Sequence, residues 1–515
     1  MSDARQPFRP GPPDRWYTIA AVILSVSASV VGLVLAYFHR VGTYGVETDF
    51  YGLYAPQAVR LLAGEGYTFT QNPPGYVLLL GGATRFISDP FVAGKVLSAI
   101  AAGAMGWLTY ALARPLFGAR IALASTMLVV AALIPYSFVA GTDLVGGALI
   151  VLPIVVFLRR DAITPGVCAA AGAAAGVAYM VRANALFLVI GFALSLLLLL
   201  GRDASWATRF RNVAIVIGAF LLATSPWLIY NWQANGSPLA SRTYLQVAAH
   251  FYHPEGDWSG TALEELSGSF ASMGDVIRHD PMRLASRYLR DVLVANPIGL
   301  AQEALRLPLV LFAAMGLLML LVRWTPRRLA LLLIFVLGYL LLGLVGFFVR
   351  YYLFLYPLLF LLVAYVFFDR DTGVRLPGRL SRVPVNAIAF AGLLAFVLRA
   401  SIMETRNVLV SEPRHLVDVA DVLKQHASTE DVLIARKPHL AYLAGVRSDF
   451  PLADTPDEFH SWAREHDARF LLYTDFEASL WRGLQRFADP RGLSPEFRLL
   501  YRQPEDRTLL YEIIY

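Results

Sequence analysis

Residues 17–54 read YTIAAVILSVSASVVGLVLAYFHRVGTYGVETDFYGLY, an apolar run followed directly by a loop that carries Glu47, Asp49, Tyr51 and Tyr54. The run from Tyr17 to Phe38 is long enough to cross about 30 Å of hydrocarbon, which takes about 20 residues. It exceeds the apolar core of a secretory leader and follows a polar, proline-rich start, so it reads as a first membrane helix.

Similar blocks recur along the chain. Spans are expected at 17–38, 92–113, 119–136, 142–158, 166–181, 185–200, 212–230, 304–322, 329–348, 351–368 and 384–400, giving about eleven transmembrane helices. The composition agrees: 57% of residues are hydrophobic and 16% charged, with a mean hydropathy of +0.54, more apolar than a soluble core requires. The net charge of +6 arises largely from arginines in short loops between the blocks, where they orient helices and meet membrane lipids, so no nucleic-acid partner is expected. The single cysteine, Cys168, excludes an intramolecular disulfide and a cysteine-based metal site.

Charge placement orients the chain. With Arg5, Arg9 and Arg15 in the cytoplasm, every second connection is cytoplasmic. These carry Arg114 and Arg120, Arg159 and Arg160, Arg202 to Arg211, Arg323 to Arg328, and Arg370 to Arg382, as the positive-inside rule requires. Outer loops at about 39–91 and 231–301 and a tail over 401–515 then face the other side of what is expected to be a bacterial inner membrane. Gly75 to Ile87 is apolar but short and follows Pro73-Pro74, which suits an interfacial or re-entrant helix.

The expected fold class is therefore an all-α polytopic membrane domain over 1–400, with interfacial helices in its first outer loop, followed by a soluble extracytoplasmic α/β domain over 401–515. In the tail, helices are expected near 413–426, 438–444 and 456–467, strands at 431–436 and 469–474, and a closing pair near 497–502 and 508–514. It has no glycine-rich phosphate loop and does not read as a nucleotide domain.

An acidic residue just beyond the first helix, held near the membrane face, is placed to act as general base on an acceptor hydroxyl. Glu47 and Asp49 are the candidates, and simple loop solvation is the competing reading. Other motifs are Gly64-Glu-Gly-Tyr67-Thr-Phe69, Gln71-Asn72-Pro73-Pro74-Gly-Tyr76, Leu112-Ala-Arg-Pro-Leu-Phe-Gly118 and Gly141-Thr-Asp143-Leu. Tyr179-Met-Val-Arg182-Ala-Asn184 and Arg350-Tyr351-Tyr-Leu-Phe-Leu-Tyr-Pro357 complete the set. As an ordered set over roughly 17–370 these resemble the GT-C superfamily, and within it the dolichyl-phosphate-mannose protein mannosyltransferase and lipid A aminoarabinose transferase group. The tail resembles the extra outer domain of some bacterial members.

That resemblance implies an inverting glycosyltransferase acting between a polyprenyl phosphate sugar donor and a lipid, glycan or protein acceptor. Asp49 matches the acidic position of the first loop and implies the base. Asp143 matches a second acidic position, implied to orient base or acceptor, with a helix N-cap as the competing reading. Arg182 and Arg350 lie at outer helix ends, an unusual side for arginine in this chain, and suit a donor phosphate; snorkelling is the alternative. Arg242, in the second outer loop, is a further candidate for either substrate, and Glu47, Tyr54, Asn72 and Tyr351 are candidate substrate contacts. Asn72 stands where many members carry lysine, which places more weight on the arginines. His250, His253, Glu255 and Asp257 are a candidate divalent-metal set without a defined zinc spacing, against ordinary loop polarity. No other cofactor is expected. A flippase or transporter of lipid-linked glycans, and a lipid-binding scaffold, are the competing functions; no internal repeat of the transporter kind is seen.

Overall fold

The structure, a computed structural model, describes residues 12–68, 72–160, 162–202, 204–253, 266–369, 385–451, 453–503 and 507–515. Each expected span falls on a helix: Pro12–Phe38, Pro90–Phe117, Ala119–Tyr136, Thr142–Leu158, Pro165–Val181, Ala183–Leu199, Trp206–Asn235, Leu309–Val322, Pro326–Leu342, Val349–Phe368 and Val385–Val410. Among the described residues six helices have the length and apolarity to cross a membrane alone, and a seventh results if Pro281–Leu305 and Leu309–Val322, bent by 115°, form one span. Thr142–Leu158, Pro165–Val181 and Ala183–Leu199 are shorter. Thr142–Leu158 buries residues on all sides, among them Val145, Ile150, Ile154 and Phe157, so its neighbours are protein helices and not lipid.

The helix starts follow from local chemistry. Asp89, Thr164, Ser205 and Thr325 each accept a backbone N–H of the following first turn, and proline occupies an early position in three of these helices. Small residues then let backbones approach. A Cβ added to Gly172 would collide with the carbonyl of Val216, and one added to Gly316 with that of Leu362, whereas Gly218 faces open space. Gly316→Ala is therefore expected to destabilise the bundle by about 1–3 kcal/mol, and Gly218→Ala to leave it nearly unchanged. Thermal unfolding of both variants in the same detergent checks this.

Helix Val385–Val410 continues past the change of composition at Ser401, with Ser401 and Thr405 buried on its inner side. Beyond it lies a five-stranded sheet of β1 Val432–Ile434, β2 Arg447–Asp449, β3 Ala468–Tyr473, β4 Phe497–Gln503 and β5 Thr508–Ile513, in the order β2-β1-β3-β5-β4. β1 is parallel to β2 and β3, while β5 is antiparallel to β3 and β4. Alternate residues feed two cores. Leu433, Phe470, Leu472 and Leu510 pack with helix His415–His426, while Ile434, Leu471 and Tyr511 pack with Phe459 and Phe487. The central strands are covered on both faces, which is why they read as continuous apolar runs.

Candidate active site

The first loop is built from the inside outward. Glu47 is completely buried: its carboxylate accepts from the amides of Thr43 at 2.7 Å and Ala140 at 2.8 Å, and meets His39 Nε2 at 2.9 Å. With no accessible surface it braces the loop and does not face a ligand. Tyr51 is buried below it, its hydroxyl accepting from Gly42 N at 2.8 Å. These anchors leave Asp49, between them, facing out ahead of the helical turn Phe50–Tyr54.

Asp49 is accessible, and among the described residues it makes no hydrogen bond or ion pair. Protein on its flanks displaces water and raises its pKa above the ordinary aspartate value. The Arg350 charge opposes that rise, Asp143 reinforces it, and Lys437 and Arg182 oppose it again. An unpaired carboxylate surrounded by three cations and a second carboxylate suits a base whose proton affinity exceeds that of a carboxylate in water.

Asp143 does not cap its helix. Gly141 holds the cap position, and Asp143, in the first turn, receives Arg182 Nη1 at 2.5 Å with Arg350 Nε at 3.9 Å. Arg182 follows the last residue of helix Pro165–Val181 and reaches across Gly146, where an added Cβ would lie 3.0 Å from its Cδ. Both guanidinium groups also lie over the ring of Tyr351, Arg182 at 4.8 Å and Arg350 at 5.2 Å from its centre. One carboxylate thus holds two arginines, leaving an excess positive charge, and Arg350 reaches it only through Nε at long range while also bonded by Tyr351.

Tyr54 packs its ring edge-on to Tyr76 at 5.1 Å, and its hydroxyl lies among Asp49, Arg182 and Asp143. Asn72 is half-buried and accepts the Tyr67 hydroxyl through its backbone carbonyl at 2.7 Å. Pro73 and Pro74 lead into helix Gly75–Thr84, and Gly75 is pressed so closely on the Met180 carbonyl that a side chain would collide. That contact fixes helix Gly75–Thr84 just before Arg182. Arg242 is exposed ahead of helix Thr243–Tyr252, without an ion pair among the described residues.

A cavity of ≈ 300 Å³ opens beside Arg350, lined by Val46, Tyr136, Glu303, Phe347 and Glu404. A narrower pocket that shares Val46 and Tyr136 extends to Asp143. Within the candidate metal set, His250 is paired with Asp291 at 2.9 Å. Glu255 and Asp257 lie outside the described residues, and no group of three potential ligands placed for a metal occurs among those described.

Sequence reading missed the contribution of the C-terminal domain. His39 Nδ1 meets Glu412 at 2.8 Å, and although burial would lower its pKa, Glu47 and Glu412 outweigh that and raise it to about 9, so His39 is a buried cation between two carboxylates. His439, pushed down to about 4 by burial and therefore neutral, donates from Nε2 to the carbonyl of Thr43 at 3.2 Å. Tyr44 stacks on Phe476 at 4.4 Å, and Tyr51 meets Tyr442 at 4.5 Å. Between these contacts, Lys437 Nζ donates to Tyr44 O and Thr48 Oγ1, both at 3.3 Å, directly beside Asp49.

Residues 71–230 match the family model for dolichyl-phosphate-mannose-protein mannosyltransferase, a stretch that contains Asn72, Asp143 and Arg182. No curated protein sequence matches significantly. Among solved structures, ArnT from Cupriavidus metallidurans bound to undecaprenyl phosphate is similar with a TM-score of 0.61 at 15% identity, over 95% of this chain and 97% of that one. The archaeal oligosaccharyltransferase AglB from Archaeoglobus fulgidus, in complex with an inhibitory peptide and a dolichol-phosphate, is similar with a TM-score of 0.58 at 12% identity, over 97% of this chain and 74% of that one. The apo form of the Archaeoglobus fulgidus oligosaccharyltransferase gives 0.57 at 14%, over 95% and 74%. At these identities the likeness is one of fold.

Proposed function

Taking as premise that this chain is, by its fold, a member of the GT-C superfamily, we propose that it is an inverting glycosyltransferase using a polyprenyl-phosphate-linked sugar. The acceptor is a lipid, glycan or protein hydroxyl, and the reaction takes place on the extracytoplasmic face of the membrane. The observation that carries this reading is an unpaired, outward-facing Asp49 beside two arginines that share one carboxylate, Asp143. The lipid phosphates bound by the two structural neighbours support the donor class. The arginine-rich short connections on the opposite side support the orientation.

In this mechanism the acceptor oxygen attacks the anomeric carbon from the face opposite the phosphate. Asp49 takes the hydroxyl proton as the new C–O bond forms. The bond from the anomeric carbon to the phosphate oxygen breaks, and its electron pair leaves on the polyprenyl phosphate. Arg350 and Arg182 face that growing charge, with Asp143 and Tyr351 holding their planes in position, so little rearrangement is required as charge develops. The cavity beside Arg350 offers Val46, Phe347 and Phe348 as apolar wall for the first units of the lipid, with Arg350 and Thr43 as its groups suited to a phosphate.

Purified protein in lipid, given radiolabelled sugars on a panel of polyprenyl phosphates, is expected to transfer sugar from at least one of them and from no UDP- or GDP-sugar. Transfer from a nucleotide sugar without lipid carrier would overturn the donor assignment.

A further inference from the structure

Lys437 differs from Arg182 and Arg350 in making no ion pair among the described residues. It lies in the turn between β1 and helix His439–Ala444, and that turn is fixed at both ends. The amide of Arg436 donates to Glu477 at 2.7 Å, and Pro438 packs on Gly52 of the first loop. Its ammonium group is half-buried and donates only to two neutral oxygens, the Tyr44 carbonyl and the Thr48 hydroxyl, and it forms no ion pair among the described residues. Asp49 and Arg350 are both within its electrostatic reach. Glu477, a buried acid of its own domain, is pushed up to about 8 by burial and makes no ion pair with Lys437.

A half-dry ammonium group whose hydrogen bonds go only to neutral oxygens is costly to maintain. Lys95, the other buried lysine near the first loop, donates to the carbonyls of Ala36 and His39 where two segments join, a structural position away from the cleft face of Asp49. Lys437 instead reaches the residue next to Asp49 from another domain, held by bonds at the long end of the range. Such bonds exchange readily for an anionic oxygen.

We propose that Lys437 is a substrate-binding residue, carried into the site by the C-terminal domain, whose ammonium group takes a phosphate oxygen of the lipid-linked donor. The inference rests on the glycosyltransferase reading and adds a third cation to Arg182 and Arg350. It makes the C-terminal domain part of the donor site.

The test is titration of undecaprenyl phosphate into the full-length parent, Lys437→Met and Lys437→Arg in lipid nanodiscs, with thermal unfolding of each. A charge-assisted bond to phosphate predicts a Kd about 10- to 100-fold weaker for Lys437→Met, most of the affinity restored in Lys437→Arg, and thermal midpoints close to the parent. An unchanged Kd in Lys437→Met overturns the inference. So does early unfolding of both variants, which would make Lys437 a strut between the domains. A raised acceptor KM with unaltered donor affinity overturns the donor assignment by moving the cation to the acceptor. Failure of the parent itself to bind undecaprenyl phosphate is a separate result, and it rejects the donor reading together with the inference.

Discussion

Asp49→Asn should lower turnover by about 10²–10⁴-fold and leave donor affinity within a few-fold of the parent. The substitution preserves size and removes only the ability to accept a proton. Asp49 makes no hydrogen bond among the described residues, so the loop does not depend on its charge for shape. The base must be ionised to act, and its pKa lies above the ordinary value of about 3.9. For the parent, kcat/KM is therefore expected to fall toward acid pH through a pKa higher than that of a free aspartate. Steady-state rates across pH, with donor titration on the same preparations, check both statements. Near-normal turnover in Asp49→Asn would place the base elsewhere, and Asp143 would be a poor substitute because Arg182 already occupies its Oδ1.

Arg350→Ala should weaken donor binding by about 10- to 100-fold, because a charge-assisted contact to phosphate contributes roughly 1.5–3 kcal/mol. Unlike Arg182, which is committed to Asp143 at 2.5 Å, Arg350 reaches that carboxylate only at 3.9 Å and is the less tightly held of the two. Arg350→Lys is expected to recover only part of the affinity, since lysine retains the charge but lacks the planar fork and the stacking over Tyr351. Donor titration of both variants distinguishes the roles. If Arg350→Ala binds donor as tightly as the parent, the side chain serves Asp143 and Tyr351 alone.

The apolar helices were legible because long apolar runs, whether they meet lipid or neighbouring helices, stand out in composition, and the central strands of the tail because burial on both faces makes them apolar throughout. What escaped has little local signal. β2 is three exposed polar residues, Arg447–Asp449, on a sheet edge, and helix Asp475–Leu480 is a single short turn after a capping Thr474. In the site, the grouping of Asp143, Arg182 and Arg350 with Asp49 could be anticipated as an ordered set of motifs. Glu47 and Asp49 could not be separated, because two carboxylates two residues apart in a loop look alike until the fold turns one inward to Thr43 and Ala140. Lys437 and Glu412 were invisible for another reason. Their partners Thr48 and His39 lie far back in the chain, and neither spacing nor periodicity carries information over that distance.

The docking of Glu412, Lys437, His439 and Phe476 onto the first loop has a consequence for the order of synthesis. The loop that holds Asp49 leaves the ribosome more than 350 residues before Glu412, Lys437, His439 and Phe476, which enclose it. Membrane insertion of every helix would still leave His39 without its second carboxylate and Tyr44 without the ring it stacks on. A nascent chain, or one shortened to end before Glu412, therefore carries Asp49 in an unfinished setting. The setting of that loop is complete only once residues 412–476 have been made and have docked on it.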